Sequence, residues 1–453
     1  MNKAGYTLII GLGQTGLSCA RYLKKQGVLF AVTDTRPTPP GLEELAKFAP
    51  ETPTCFGEVS EALIQEANQL IVSPGVSLKI PAIAQALSQG KSVIGDIELF
   101  ARQVKASVVG ITGANGKSTV TTLVGEMAKK AGVKTVVAGN IGTPILEVEA
   151  EQAELFVLEL SSFQLETTYS LKLQAATILN ISEDHMDRYA TMQEYIDAKQ
   201  RIYQHAKVAV YNRDDSATLP TKPFTNYRSF AVDAPQSNYE YGIIIHQGKR
   251  YLARGKELLI AEAELSLQGY HNVLNALASL ALGEAIGLPL TAMLNVLKSF
   301  KGLRHRCELV ECYQGISWYN DSKATNVGAA IAAIKSLATP NKKDILLIAG
   351  GLGKGADFLP LRPVVEQQVK LLILLGKDRD KIKAACGPNV LSVEVDSLAT
   401  AIAVAEKYAQ AEDKVLLSPA CASFDMFKDF NDRGETFVKL VRQRINDNKA
   451  VVA

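Results

Sequence analysis

A single tryptophan stands among 453 residues. That scarcity argues against the aromatic platforms on which readers of single-stranded nucleic acid stack bases. An excess of either charge is missing too. The 49 lysines and arginines face 47 aspartates and glutamates, a net charge of +2, so no global field draws the chain to nucleic acid or an anionic membrane. No stretch approaches the roughly eighteen uninterrupted apolar residues of a membrane span, and the opening MNKAGYTLII is too short an apolar run for a signal peptide. The six cysteines (19, 55, 307, 312, 386, 421) show no CxxC spacing, which points to free thiols in a reducing compartment. HExxH and paired-cysteine spacings are also absent, so zinc is not expected. His205, His246 and His271 read as structural. These absences leave the expectation of a cytoplasmic, multidomain protein of enzyme size.

What is present is rhythm. Hydrophobic content of 47% and charged content of 21% suit a well-packed enzyme, and the length predicts two to four domains. Short β-branched runs alternate with longer helical patterns, the signature of parallel α/β units. Strands are predicted at Thr7–Ile10, Phe30–Thr33, Gln69–Val72 and Ser92–Ile94, then at Ser107–Ile111, Lys134–Val137, Leu155–Glu159, Ala176–Leu179 and Val208–Tyr211. Residues 239–266 read as a small antiparallel excursion, followed by a helix near Asn272–Ile286. Alternation resumes with Asp344–Ala349, Leu371–Leu375 and Lys414–Leu417. Gly95 and Lys301-Gly302 interrupt the patterns and mark the domain boundaries.

Two glycine-rich loops carry the first chemistry. A strand, glycines and then a helix is how a fold presents backbone N–H groups to phosphate. GLGQTG (Gly11–Gly16) follows the strand TLII, with Asp34 closing the next strand, which matches a dinucleotide fingerprint. VVGITGANGKSTV almost spells a P-loop, but the position five before Gly116 is Ile111 and the glycines flank it at 110 and 113. Lys117 there would meet the β/γ-phosphates and Ser118 a Mg²⁺. Two anion loops suggest two phosphorylated substrates.

Further motifs follow in order: LELSSFQL (158–165), NISEDHMDRY (180–189), YIDAKQRIY (195–203), GYHNVLNALA (269–278), GLRHRCE (302–308), NDSKATN (320–326) and SPACASFDMFKDFNDRG (418–434). With the offset-glycine loop GITGANGKST, this series resembles the Mur ligase superfamily over nearly the whole chain. GLGQTG, DTR (34–36) and SPG (73–75) are similar to the UDP-binding domain of its D-glutamate-adding branch. The branch adding diaminopimelate or lysine lacks such a first domain, and its DNPR-type motif is absent here. The alanine-adding branch usually has a histidine in the ATP loop.

The resemblance implies an α/β protein of three domains. These are a Rossmann-like domain for the UDP substrate (1–95), a central P-loop mononucleotide-binding domain for ATP (96–302), and a Rossmann-like amino-acid domain (303–453). It implies an ATP-dependent ligase that joins D-glutamate to UDP-N-acetylmuramoyl-L-alanine through an acyl phosphate and a tetrahedral intermediate, in cytoplasmic peptidoglycan precursor synthesis. ATP is then a substrate, two Mg²⁺ ions are cofactors, Lys199 is carbamylated, and the protein is a monomer without nucleic-acid or membrane partners. Carried over by position, Gly113, Ala114, Asn115, Gly116, Lys117, Ser118 and Thr119 cradle the ATP phosphates. Asn275 contacts the adenine, while Arg306 and Asp321 hold phosphates and ribose. Gly13, Gln14, Thr15, Asp34, Thr35, Arg36, Ser73 and Gly75 bind the UDP substrate, with Asn140 and His185 toward its reacting end. Lys323, Thr325, Lys354, Ser423 and Phe430 form the amino-acid pocket. Ser118, Glu159, His185 and Lys199 are the implied metal ligands, and Lys117, His185 and Lys199 the implied catalytic set.

On the residues alone, blander readings stand beside these. Lys199 reads as an exposed helical lysine, Glu159 as a loop acid and Phe430 as a core aromatic. An NAD-dependent oxidoreductase with an appended ATPase would explain Gly11, Gly13, Gly16 and Asp34, but not the motifs at 158–203 and 320–326. Another Mur-type amino-acid specificity is the nearer alternative.

Overall fold

Three sheets organise the computed structural model, which describes residues 5–148, 152–267 and 269–452. The first contains β1 (Thr7–Ile10), β2 (Phe30–Asp34), β3 (Thr54–Phe56), β4 (Gln69–Val72) and β5 (Ser92–Ile94). All pair in parallel in the order β3-β2-β1-β4-β5. Strands buried on both faces by flanking helices need apolar residues throughout rather than alternation, and the four residues of β1 are all buried. The order in which strands are added reverses between β1 and β4, the crevice where open parallel sheets take ligands. There Ser73 closes the gap, with its N–H donating to the Ile10 carbonyl at 2.9 Å and its hydroxyl to the Gly11 carbonyl at 2.8 Å.

The turn tolerates no side chain at Gly16, where a Cβ would lie 1.9 Å from the Gly11 carbonyl oxygen. Gly16→Ala is therefore expected to destabilise the first domain by ~1–3 kcal/mol, the usual cost of overpacking. A lowered calorimetric midpoint checks this, and an unchanged one would show that the loop can open.

The second sheet holds β6 (Ser107–Thr112), β7 (Thr135–Gly139), β8 (Leu155–Glu159), β9 (Leu173–Ile178), β10 (Ala206–Asn212), β11 (Tyr227–Phe230), β12 (Glu240–His246), β13 (Lys249–Arg254) and β14 (Glu257–Ala261). Their order is β14-β13-β12-β11-β10-β9-β6-β8-β7. The antiparallel excursion is present as the meander β12–β14. Helices Lys117–Lys130 and Tyr270–Ala285 cover one face, burying Val120, Val124 and Met127 with Leu277 and Leu280. Phe100, Phe156, Ile202 and Tyr203 fill the other.

The third sheet runs β15 (Glu308–Tyr313), β16 (Ile316–Asn320), β20 (Lys414–Leu417), β17 (Ile345–Ala349), β18 (Val369–Leu374), β19 (Ser392–Glu394), with only β15 antiparallel. Among the described residues, no helix is long and apolar enough to cross a membrane. In all three sheets the motif loops leave the C-terminal ends of parallel strands. GLGQTG follows β1, GANGKS follows β6, DSKATN follows β16, GGLGKG follows β17 and SPACAS follows β20.

Candidate active site

Three clefts open along these edges. The first lies in the crevice of the N-terminal sheet and is lined by Gly13, Gln14, Thr15, Asp34, Thr35, Arg36, Ser73 and Gly75 from the first domain. Asp34 is 3% exposed and accepts from the Leu12 N–H at 2.7 Å and from the Arg36 guanidinium at 2.9 and 2.6 Å. Burial pushes its carboxyl up, but Arg36 and the two backbone N–H groups outweigh that and hold it below the usual range. The pair leaves Arg36 half exposed at the rim, a charge placed for an anion. Asn140 reaches this cleft from the central domain.

The middle cleft gathers Lys117, Glu159, Asp184, His185 and Lys199. The chain turns at Gly116 (φ 83) into the helix that begins at Lys117, and a Cβ there would meet the Asn275 amide oxygen at 2.5 Å. The loop is pinned by Asn180, whose carbonyl accepts from the Ala114 N–H and whose side chain accepts from the Asn115 N–H, each at 2.9 Å. Lys117 folds back so that Nζ donates to the Gly113 and Ala114 carbonyls at 2.8 Å. Burial lowers its pKa, opposed by the charges of Glu159 and Asp184.

Glu159 ends β8 and is 1% exposed. Its Oε1 accepts from Asn140 Nδ2 at 2.8 Å, and its Oε2 has no protein partner. Burial raises this carboxyl, yet Lys117, Ser118, Asn140 and Arg306 together keep it below its ordinary value. His185, at φ 59, lies edge-on to Phe163. Burial and the charges of Lys354, Lys117 and Lys199 bring it to about 4 against the pull of Asp184, which favours the neutral ring.

Lys199 overturns its reading as an exposed lysine. It sits near the end of helix Met192–Gln200 at 2% exposure. Nζ donates to the Gly113 carbonyl at 3.0 Å and Thr112 Oγ1 at 3.4 Å, over the Tyr195 ring at 4.6 Å. Burial first, and Lys117 second, hold this amine well below the usual lysine range. Among the described residues no group of three or more histidine, cysteine or acidic side chains forms a metal cluster.

The C-terminal domain closes the far wall with Lys323, Thr325, Lys354, Ser423 and Phe430. Lys323 Nζ stands 3.7 Å from the centre of the Phe430 ring, so Phe430 is a cation platform rather than core filler. Arg306 Nη2 donates to the Ser118 hydroxyl at 2.7 Å. The residues flanking it, His305 and Cys307, both hold left-handed backbone at φ 63 and 42, strain of a kind that gathers at functional sites. A third cleft beyond Gly116 is lined by Asn115, Thr119, Asn275, Arg306 and Asp321. Asp321 spends both oxygens inside the protein, accepting from Ser418 at 2.7 Å and the Cys307 N–H at 3.2 Å. Burial raises it to about 7.

Residues 5–95 match the family described as Mur ligase MurD-like, N-terminal domain, residues 111–283 the Mur ligase middle domain, and residues 305–421 the Mur ligase, glutamate ligase domain. The chain is 49% identical over 446 residues to the UDP-N-acetylmuramoylalanine–D-glutamate ligase of Acinetobacter baylyi, covering 97% of this chain and 99% of that one. The chain belongs to the Mur ligase family.

The similarly named ligase of Marinobacter nauticus is 50% identical over 436 residues, covering 96% of this chain and 97% of that one. Two solved structures share the fold at a TM-score of 0.59. UDP-N-acetylmuramate-alanine ligase of Thermotoga maritima is 18% identical and covers 97% and 99% of the two chains. A pseudomurein peptide ligase type C from Methanothermus fervidus is 19% identical and covers 97% and 100%.

In this Mur ligase most of the expected residues meet at the clefts, with three qualifications. His185 lines the middle cleft and not the first one. Gly113 and Ser118 lie behind the lining; Gly113 offers its carbonyl to two lysines, and the Ser118 hydroxyl accepts from Arg306. Three residues had no assigned role. Asn326 caps helix Val327–Leu337 and donates to Asn115 at 3.2 Å and Asp184 at 3.3 Å. Arg433, 3% exposed, braces two motif loops through Ser322 and the Cys421 carbonyl. Asp184 pairs with Lys354. All three stand inside the quoted motifs, which was the available signal.

Proposed function

We propose that this Mur ligase adds D-glutamate to UDP-N-acetylmuramoyl-L-alanine at the expense of ATP, through an acyl phosphate. The observation that carries the reading is Asn140. It lines both the first cleft and the middle one and bonds Glu159, so the end of a substrate lying in the first cleft arrives beside the ATP loop. The middle cleft in turn shares Asn115, Gly116, Arg306 and Lys323 with the third. A UDP-linked carboxylate, a nucleotide γ-phosphate and an amine can thus converge from three sides. The names of the relatives supply the substrates.

In this reading, Arg36 and the N–H groups of the GLGQTG loop hold the UDP moiety, and Asn140 orients the alanyl carboxylate. Lys117 leaves the loop carbonyls for the β/γ-phosphates, while Arg306 and Lys323 add charge from the opposite domain. Thr325, Lys354, Ser423 and Phe430 form the D-glutamate pocket. Asn275 and Asp321 serve the adenosine. Two Mg²⁺ ions would screen the phosphates and polarise the transferred group. The residues suited to hold them are Ser118, Glu159 with its unpartnered oxygen, the neutral His185, and Lys199 as a carbamate. The substrate, ATP and amino-acid units would divide near 95 and 302. The oxidoreductase alternative is weakened because the Asp34 oxygens that a ribose diol would need are already taken by Leu12 and Arg36.

Phosphate release with UDP-N-acetylmuramoyl-L-alanine, ATP and Mg²⁺ across a panel of D- and L-amino acids is the test. Release is expected with D-glutamate. Release with another amino acid instead would reassign the specificity, and none with any would remove the ligase reading.

A further inference from the structure

The middle cleft is lined by Lys117, Arg306, Lys323 and Lys354, by the buried amine of Lys199, and by only two carboxylates, Glu159 and Asp184. Glu159 already has a role in the reading above, whereas Asp184 has none. Its Oδ1 receives the Lys354 ammonium at 2.8 Å from another domain, 170 residues along the chain. The two side chains are only 11% and 15% exposed, so this is no screened surface bridge. Both ends are also fixed by left-handed backbone at residues other than glycine, Lys354 at φ 53 and His185, next to Asp184, at φ 59. Such conformations persist where the surroundings impose them, and they cluster at ligand clamps.

An amino acid arriving here is a zwitterion. Its carboxylates suit a cleft rich in cations, but its ammonium is repelled everywhere except beside a carboxylate. Glu159 is enclosed by Lys117, Ser118, Asn140 and Arg306. A carbamate on Lys199 would be taken up by the metal, so Asp184 remains, against the C-terminal wall where Lys354 and Asn326 already touch it.

We propose that the Asp184–Lys354 bridge is a stand-in for the amino-acid zwitterion, which opens it by placing a carboxylate on Lys354 and its ammonium on Asp184. This rests on the D-glutamate reading and adds to it the residue that binds the amine. The exchange breaks one ion pair and makes two, and it leaves no buried charge alone. A diacid without the amine would take Lys354 and leave Asp184 with the His185 backbone N–H and the Asn326 amide as its neutral donors. The bridge therefore selects against diacids by the charge they would strand. It also aims the nitrogen, because Asn326 ties Asp184 to Asn115 of the ATP loop, beside which the activated carboxyl group forms.

The test is equilibrium binding of D-glutamate and of glutarate to the full chain saturated with UDP-N-acetylmuramoyl-L-alanine and a non-hydrolysable ATP analogue. Wild-type protein should bind D-glutamate roughly ten- to hundredfold more tightly than glutarate, the worth of one hydrogen bond to a charged group. Asp184→Asn should erase most of that preference by weakening D-glutamate alone, with glutarate unchanged or tighter because Lys354 is released. Lys354→Met should weaken both ligands. Parity of the two ligands on wild-type protein overturns the inference and needs no folded variant. Equal weakening of both by Asp184→Asn also overturns it, since Asp184 would then only shape the pocket. Wild-type protein that binds neither ligand but takes another amino acid overturns the D-glutamate reading instead, and the bridge is then judged with that amino acid and its deaminated analogue.

Discussion

Lys117→Ala is expected to slow ATP-dependent phosphate release by ~10²–10³-fold, the scale of one lost transition-state charge donor. The geometry says why the loss falls on the chemical step. Lys117 Nζ rests on the carbonyls of Gly113 and Ala114, contacts that hold it at the loop without a covering carboxylate. A γ-phosphate offers a better, charged acceptor a short movement away. Binding of the adenosine end depends on the third cleft, at Asn275 and Asp321, so affinity for an ATP analogue should fall much less than turnover. Lys117→Arg should not rescue, since a planar fork cannot replace a point charge among tightly turned backbone. The measurement is single-turnover phosphate release beside analogue binding in the same variant. Turnover near that of the wild-type protein would remove Lys117 from the reaction.

How much of this could be read from the chain depends on which residues carry a pattern of their own. β1, β4, β5, β8 and β20 lie at the expected bounds, because strands buried on both faces are short uninterrupted apolar runs. β3, β11, β15, β16 and β19 carry no such run. All but β11 are edge or near-edge strands such as ELVECY, in which Val310 alone is buried, and pairing with a neighbour rather than composition makes them strands. The ATP loop was legible because its spacing is backbone geometry: a left-handed Gly116, then a lysine opening a helix. Asp184 was not. SEDHMDRY contains Glu183, Asp184 and Asp187, equivalent along the chain, and only Lys354 from another domain singles one out. Lys199 shows the same limit, since helix Met192–Gln200 contains glutamine, glutamate and aspartate around it, and its sequence alone does not reveal that one lysine points inward.

Lys199→Ala is expected to abolish most ligase activity, by roughly hundredfold or more if it removes an anionic contact to the reacting centre, and to delete a carbamate. The starting point is a buried amine in poor company. Lys199 has a carbonyl, a hydroxyl and the Tyr195 ring around Nζ, and no carboxylate pairs with it among the described residues. The positive charge of Lys117 and burial both favour the neutral form. A neutral amine adds to carbon dioxide, forming a C–N bond and releasing one proton to give an anionic carbamate. The product reverses the electrostatics of the position: an anion beside Lys117 is stabilised where an ammonium was repelled. It also repairs the deficit in hard oxygen ligands, because Glu159 is the acid of this cleft with a spare buried oxygen, His185 is neutral, and Mg²⁺ prefers carboxylate-type oxygens. Protein equilibrated with ¹³C-bicarbonate should show a carbamate carbon resonance that is absent in Lys199→Ala. Wild-type activity should fall in buffer depleted of carbon dioxide and return when bicarbonate is added. A Lys199→Ala variant with normal turnover, or a wild-type enzyme indifferent to carbon dioxide and lacking the resonance, would leave Lys199 as an unmodified buried amine that packs beneath the ATP loop.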